Sequence, residues 1–92
     1  MTHAIVLIEA ERDAMSTLGD ALAELDGVGE AYSVTGEWDF VAMVRVARHE
    51  DLKEVITGTI AVLPGVVRTQ TMVAFEVFSK HDLESMFSIG ND

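Results

Sequence analysis

The chain has no cysteine, one proline, one tryptophan and one tyrosine, and only six basic residues against sixteen acidic ones. Lacking cysteine, it forms no disulfide, offers no thiolate to a metal and has no cysteine nucleophile, a composition suited to a reducing cytoplasm. Its formal net charge is −10 and it has no basic run, so it lacks the Lys and Arg that neutralise nucleic-acid phosphates. No membrane segment is visible: the apolar run Ala4-Ile5-Val6-Leu7-Ile8 is far too short to span a bilayer, and residues 1–10 lack the basic start of a targeting signal. No serine-histidine-acid set, glycine-rich phosphate loop or metal-binding helix motif stands out. What is there is a chain of 92 residues, 49% hydrophobic and 24% charged. That is one acidic globular domain, of a size often helped by oligomerisation.

The apolar residues fall into two kinds of pattern. Ala4 to Ile8 reads as a strand with both faces buried. Ala14, Leu18, Leu22 and Leu25 recur at helical spacing, with Asp13, Asp20 and Glu24 off the stripe, and Asp26-Gly27 closes the helix. Residues 28–35 and 38–47 read as two further strands. Thr35-Gly36-Glu37-Trp38 lies between them, and a two-residue loop with glycine first is a type II′ hairpin signature. Leu52, Val55, Ile56, Ile60 and Leu63 mark a second amphipathic helix ending at Pro64-Gly65, and residues 66–78 a last strand. Leu22-x-x-Leu25-Asp26-Gly27-Val28 recurs 38 residues later as Ile60-x-x-Leu63-Pro64-Gly65-Val66.

Two strand-helix-strand halves joined by a hairpin predict an α+β, ferredoxin-like βαββαβ fold. Right-handed crossovers place both helices on one face of a four-stranded antiparallel sheet, in the order 4-1-3-2. The domain spans residues 1–80. Residues 81–92 form a tail in which Leu83, Met86 and Phe87 have the spacing of a short helix. The helices cover one face of the sheet and nothing covers the other. Yet the strands are apolar on both: Ala4, Val6 and Ile8 against Ile5 and Leu7, Phe40 and Val44 against Val41 and Met43, Val73 and Phe75 against Met72 and Ala74. Leaving such a face wet forfeits about 25 cal/mol per Å² of apolar surface. Two copies are therefore expected to pack sheet to sheet as a two-fold dimer, a dimeric α/β barrel.

The hairpin is the most informative stretch for chemistry. Gly36 leaves backbone N–H groups open to a carboxylate. Asp39 can hold an ammonium by a charge-assisted hydrogen bond, and the acidic pair Glu37 and Asp39 suits a cationic group. Together they fit the zwitterionic end of an α-amino acid. The same residues also read as an ordinary turn, with Trp38 packing and Asp39 capping it. Thr69 and Thr71 begin the last strand at the same end of the sheet, and a site combining them with the hairpin forms more easily between subunits. His3, His49 and His81 gather near the other end, as a proton-transfer or metal cluster or as three surface histidines.

The plan with Leu25-Asp26-Gly27-Val28, Val34-Thr35-Gly36-Glu37-Trp38-Asp39-Phe40 and Leu63-Pro64-Gly65-Val66-Val67-Arg68-Thr69-Gln70-Thr71 resembles the effector (RAM) domain of the Lrp/AsnC, or feast/famine, transcription regulators, over about residues 2–80. The resemblance implies dimers assembled into rings, commonly octamers, and a small effector, usually an amino acid, bound between dimers near the hairpin. It implies a ligand site at Gly36, Glu37, Trp38, Asp39, Thr69 and Thr71, no catalytic residue, no metal and no cofactor. Trp38 stands where the family usually has tyrosine, which reshapes the pocket. Full-length members carry a helix-turn-helix domain first, whereas here a strand starts within a few residues of Met1. The expectation is a stand-alone, cytoplasmic amino-acid-sensing module that contacts neither DNA nor membrane and acts on transcription indirectly, with full-length relatives as further partners. The alternatives on the same fold are a small dimeric enzyme of the monooxygenase or isomerase type and an ACT-like regulatory subunit.

Overall fold

A computed structural model describes residues 1–80, and the expected tail helix falls on residues outside them. The elements follow in the order β1 (Thr2–Ala10), a 3₁₀ turn (Arg12–Ala14), α1 (Leu18–Ala23), β2 (Val28–Ser33), β3 (Phe40–Val46), α2 (Asp51–Lys53, running on as a π-helical stretch over Glu54–Ile60) and β4 (Val66–Ala74). The sheet order is β2-β3-β1-β4, with every neighbouring pair antiparallel, as the pattern predicts.

Strand alternation explains which side is sealed. Ala4, Val6 and Ile8 of β1 lie opposite Val44, Ala42 and Phe40 of β3, and directly opposed residues share a face. These six side chains are buried in one cluster with Leu18 and Leu22 of α1 and Leu52, Val55 and Ile60 of the α2 unit. Among the described residues no polar or charged side chain is buried. The opposite face carries Ile5 and Leu7, paired with Met43 and Val41 on β3 and with Met72 and Gln70 on β4. Among the described residues no element crosses this open face.

The internal repeat is a repeat of hydrogen bonds. After α1, the Leu25 N–H donates to the Leu22 carbonyl at 3.2 Å and the Val28 N–H to that of Leu25 at 3.1 Å. After α2, the Leu63 N–H donates to the Ile60 carbonyl at 3.2 Å and the Val66 N–H to that of Leu63 at 3.2 Å. Each turn needs its glycine for two reasons. Gly27 and Gly65 have φ of +90° and +97°, where L side chains are strained. A Cβ on Gly27 would also lie 2.8 Å from Val55 Cγ2, and one on Gly65 would run into Ala14. Each half thus presses its turn against the helical segment of the other half.

Four local details differ from the expectation. The last strand stops at Ala74, four residues short of the expected 66–78. The first helix is shorter: Ala14 sits in the 3₁₀ turn and α1 starts only at Leu18. Between them the Thr17 hydroxyl reaches toward the Ala14 carbonyl, the local side-chain bonding by which Ser and Thr compete with a helix. The second helix widens to π winding, with the Ala61 N–H donating to the Ile56 carbonyl five residues back. Thr57 and Thr59 donate their hydroxyls to the carbonyls of Lys53 and Val55, the usual α-helical acceptors of their own N–H groups. Five-residue winding stacks Ile60 over Val55, and both are buried. Finally, the hairpin is wider than a two-residue II′ turn. β2 stops at Ser33 and β3 begins at Phe40, and the closing bond runs from the Val34 N–H to the Asp39 carbonyl at 3.0 Å. The loop leans toward β1, where its backbone finds a further partner.

Candidate functional site

That partner is the end of β1. The Asp39 N–H donates to the Ile8 carbonyl at 2.9 Å. The Asp39 carboxylate accepts the Ala10 N–H at 2.8 Å through Oδ2. Asp39 therefore prolongs the β1–β3 ladder with backbone and side chain together and fixes where the loop can point. One carboxylate oxygen is committed to this bond. Gly36, at φ +106°, would meet nothing within 4 Å if it carried a Cβ. Its backbone is needed for its turn and lies open to approach.

A side chain not assigned a role from sequence organises the rest. Arg68, near the start of β4, pairs in register with Glu9 at the end of β1. Its Nε donates to Glu9 Oε1 at 2.6 Å, and its Nη2 lies 3.5 Å from Glu37 Oε1 in the loop. Its guanidinium carbon sits 4.3 Å from the centre of the Trp38 ring, within cation–π range. The hydrogen bond that Arg68 donates to Glu9 raises its pKa above the usual arginine value; desolvation opposes that rise, and the charges of Glu9 and Glu37 add to it. A planar guanidinium with two carboxylates and an indole around it thus links the hairpin to β4 over β1.

The structure brings some of the expected site residues together and separates others. Glu37 and Trp38 meet at Arg68. Thr69 and Thr71 pair with Ile8 and Val6 and so belong to the helix-covered side of the edge strand, opposite in facing to Arg68. The signal for Arg68 was present in the sequence. In β4 the alternation sets Arg68, Gln70 and Met72 on one face, and the strand order brings its start beside the end of β1. Only the register, shifted by an irregularity between Glu9 and Ala10, fixes Glu9 as its partner.

At the far end of the open face lies a cavity of about 420 Å³. Its lining includes the apolar Ile5, Met43, Ala74 and Val77 together with His3 and Arg45. Arg45 is tied to Glu30 at 2.9 Å. His3 is thus at the cavity, His49 is exposed just before α2, and His81 lies outside the described residues. Among the described residues no group of three or more His, Cys, Asp or Glu is placed to hold a metal ion. None of the described helices is long and apolar enough to cross a membrane.

A small α+β domain of the ferredoxin-like kind is the class that this architecture defines. Residues 3–83 match the Lrp/AsnC ligand binding domain family, and the chain belongs to it. An uncharacterized HTH-type transcriptional regulator of Pyrococcus furiosus is 35% identical over 77 residues, covering 80% of this chain and 51% of the relative. The crystal structure of a Thermus thermophilus protein, TTHA0845, is 45% identical, with a TM-score of 0.80 over 87% of this chain and 100% of the other. Escherichia coli AsnC shares the fold at 20% identity and a TM-score of 0.76, covering 86% of this chain and 55% of its own. The chain spans about half the length of the curated relatives it matches.

Proposed function

We propose that this domain senses a small effector, an amino acid, at the hairpin end of its sheet and acts on transcription indirectly through homo-oligomers. The observation that carries the proposal is the fastening of the loop. Asp39 pins it to β1 and Arg68 ties Glu37 and Trp38 to β4, so open glycine backbone, an aromatic face and charges of both signs lie together. A zwitterion finds complements there for both of its ends. Gly36, Glu37, Trp38 and Asp39 form the core of the site. Thr69 and Thr71, half-exposed on the other side of β4, join it from a neighbouring subunit. Pairing through the open face gives the dimer, and dimers assembling into an octamer bring hairpins and edge strands of different subunits together. The domain is a binding module, not an enzyme, and works in the cytoplasm; its net charge of −10 gives it no part in DNA contact. Mixed assemblies with full-length Lrp/AsnC relatives are the route by which it reaches a promoter.

A thermal-shift panel of the twenty L-amino acids tests the effector. A ligand at 100 times its Kd adds about 2.7 kcal/mol to stability, so at least one is expected to raise the melting temperature. Asp39→Asn, checked for an unchanged circular dichroism spectrum, is expected to reduce that rise. A flat panel with wild-type protein would remove the sensing function.

A further inference from the structure

We propose that Arg68 is the residue that recognises the effector's carboxylate, with Glu9 and Glu37 holding its place in the free protein. This rests on the amino-acid site proposed above and names the group that selects for it. Arginine presents five N–H donors in a planar fork matched to carboxylate geometry. In this chain Nε is engaged by Glu9 at 2.6 Å, whereas the approach of Glu37 to Nη2 is longer, 3.5 Å, and comes from a side chain that is 72% exposed. Nη1 has no partner among the described residues. Half of the fork is therefore open or loosely held, and the hairpin residue that approaches it, Glu37, directly follows the uncrowded Gly36.

The neighbours fix the ligand's charge pattern. A carboxylate arriving at Nη1 and Nη2 displaces Glu37 and would leave that side chain without its cation. An ammonium on the same molecule restores the balance, because it pairs with the released Glu37 and faces the Trp38 ring. An anion without the ammonium leaves Glu37 unpaired in an already acidic protein. A cation without the carboxylate meets Arg68 as a like charge. Exchange of one ion pair for two thus favours an α-amino acid over both its α-keto acid and its amide. One oxygen of Asp39 is tied to the Ala10 N–H and Glu9 stays on Nε, so Glu37 is the acid that the arriving carboxylate releases.

The test is a double comparison on the full chain. Trp38 is the chain's one tryptophan, so its fluorescence reports the site directly, and calorimetry gives the affinity. The probe is whichever of the twenty L-amino acids binds wild-type protein most tightly, together with its amide and its α-keto acid. Arg68→Gln is expected to shift Trp38 emission in the unliganded protein and to weaken the amino acid roughly tenfold or more. Wild-type protein is expected to prefer the acid over the amide by a similar factor. In Arg68→Gln that preference should collapse to within about twofold, because the amide no longer loses an arginine contact. A loosened hairpin would weaken acid and amide alike and leave their ratio standing. An unchanged acid-over-amide ratio in Arg68→Gln overturns the role of Arg68 while the sensing function survives. An α-keto acid that binds as tightly as its amino acid overturns the exchange with Glu37. No binding of any amino acid to wild type overturns both this and the site it rests on.

Discussion

The two faces of the sheet are built from the same four strands and the same kinds of residue, yet only one is closed. On the helix side Val6, Ile8 and Ala42 reach 0% exposure. On the other side Met72 stays 44% and Tyr32 53% exposed. The difference does not come from hydrophobicity, because Ile5, Leu7, Val41 and Met43 are as apolar as their covered counterparts. It comes from what the chain can bring over each face. The helices sit on one side because both crossovers have the same hand, and among the described residues that leaves the other side without a covering element. The covered face fixes the fold, and the open face carries the Arg68 cluster at one end and the cavity at the other.

The largest effect should follow from damage to the covered face. Ile8 is fully buried between Phe40 and the helices, so Ile8→Ala is expected to cost about 2–5 kcal/mol in chemical denaturation at fixed protein concentration. Hairpin geometry should suffer with it, because the Ile8 carbonyl receives the Asp39 N–H. The corresponding change on the open face should behave in the opposite way. Met43→Lys is expected to alter the stability of a single copy by about 1 kcal/mol or less, since Met43 packs against no helix. Its effect should appear in sedimentation velocity, where association is expected to weaken by at least about thirtyfold. If Met43→Lys unfolds the isolated chain or leaves the oligomer unchanged, the contrast between the faces fails.

The sequence carried this contrast clearly, because strand period and helix period are local properties that side-chain chemistry writes directly. Strand order, the side of the helices and the apolar open face could all be read from them, and the Leu25-Asp26-Gly27-Val28 repeat pointed to the paired turns. The candidate site was legible only in part. Gly36 and Asp39 announce a turn with chemistry, but that Asp39 bonds the Ala10 N–H depends on how the loop folds over β1. Arg68 meets Glu9 across a distance of 59 residues in sequence, through a register that an irregularity shifts. The π winding of the second helix was hidden for another reason: its apolar spacing fits an α-helix equally well, and the competing Thr57 and Thr59 hydroxyls decide the matter.

The smallest effect is the most direct measure of whether the open face is truly open. Arg45 and Glu30 pair at 2.9 Å on that face, with their side chains 40% and 43% exposed. An ion pair so placed is worth about 0.2–1 kcal/mol, because water screens it and two long side chains must be ordered. A double-mutant cycle with Arg45→Gln and Glu30→Gln, in the Met43→Lys background that keeps copies apart, is expected to give a coupling in that range. The same cycle in assembled protein should give a larger coupling, since a second sheet laid over the pair excludes water and lowers the local dielectric. Equal couplings in the two backgrounds would mean that no molecule covers this end of the sheet, and the open face would then have to be explained without a dimer.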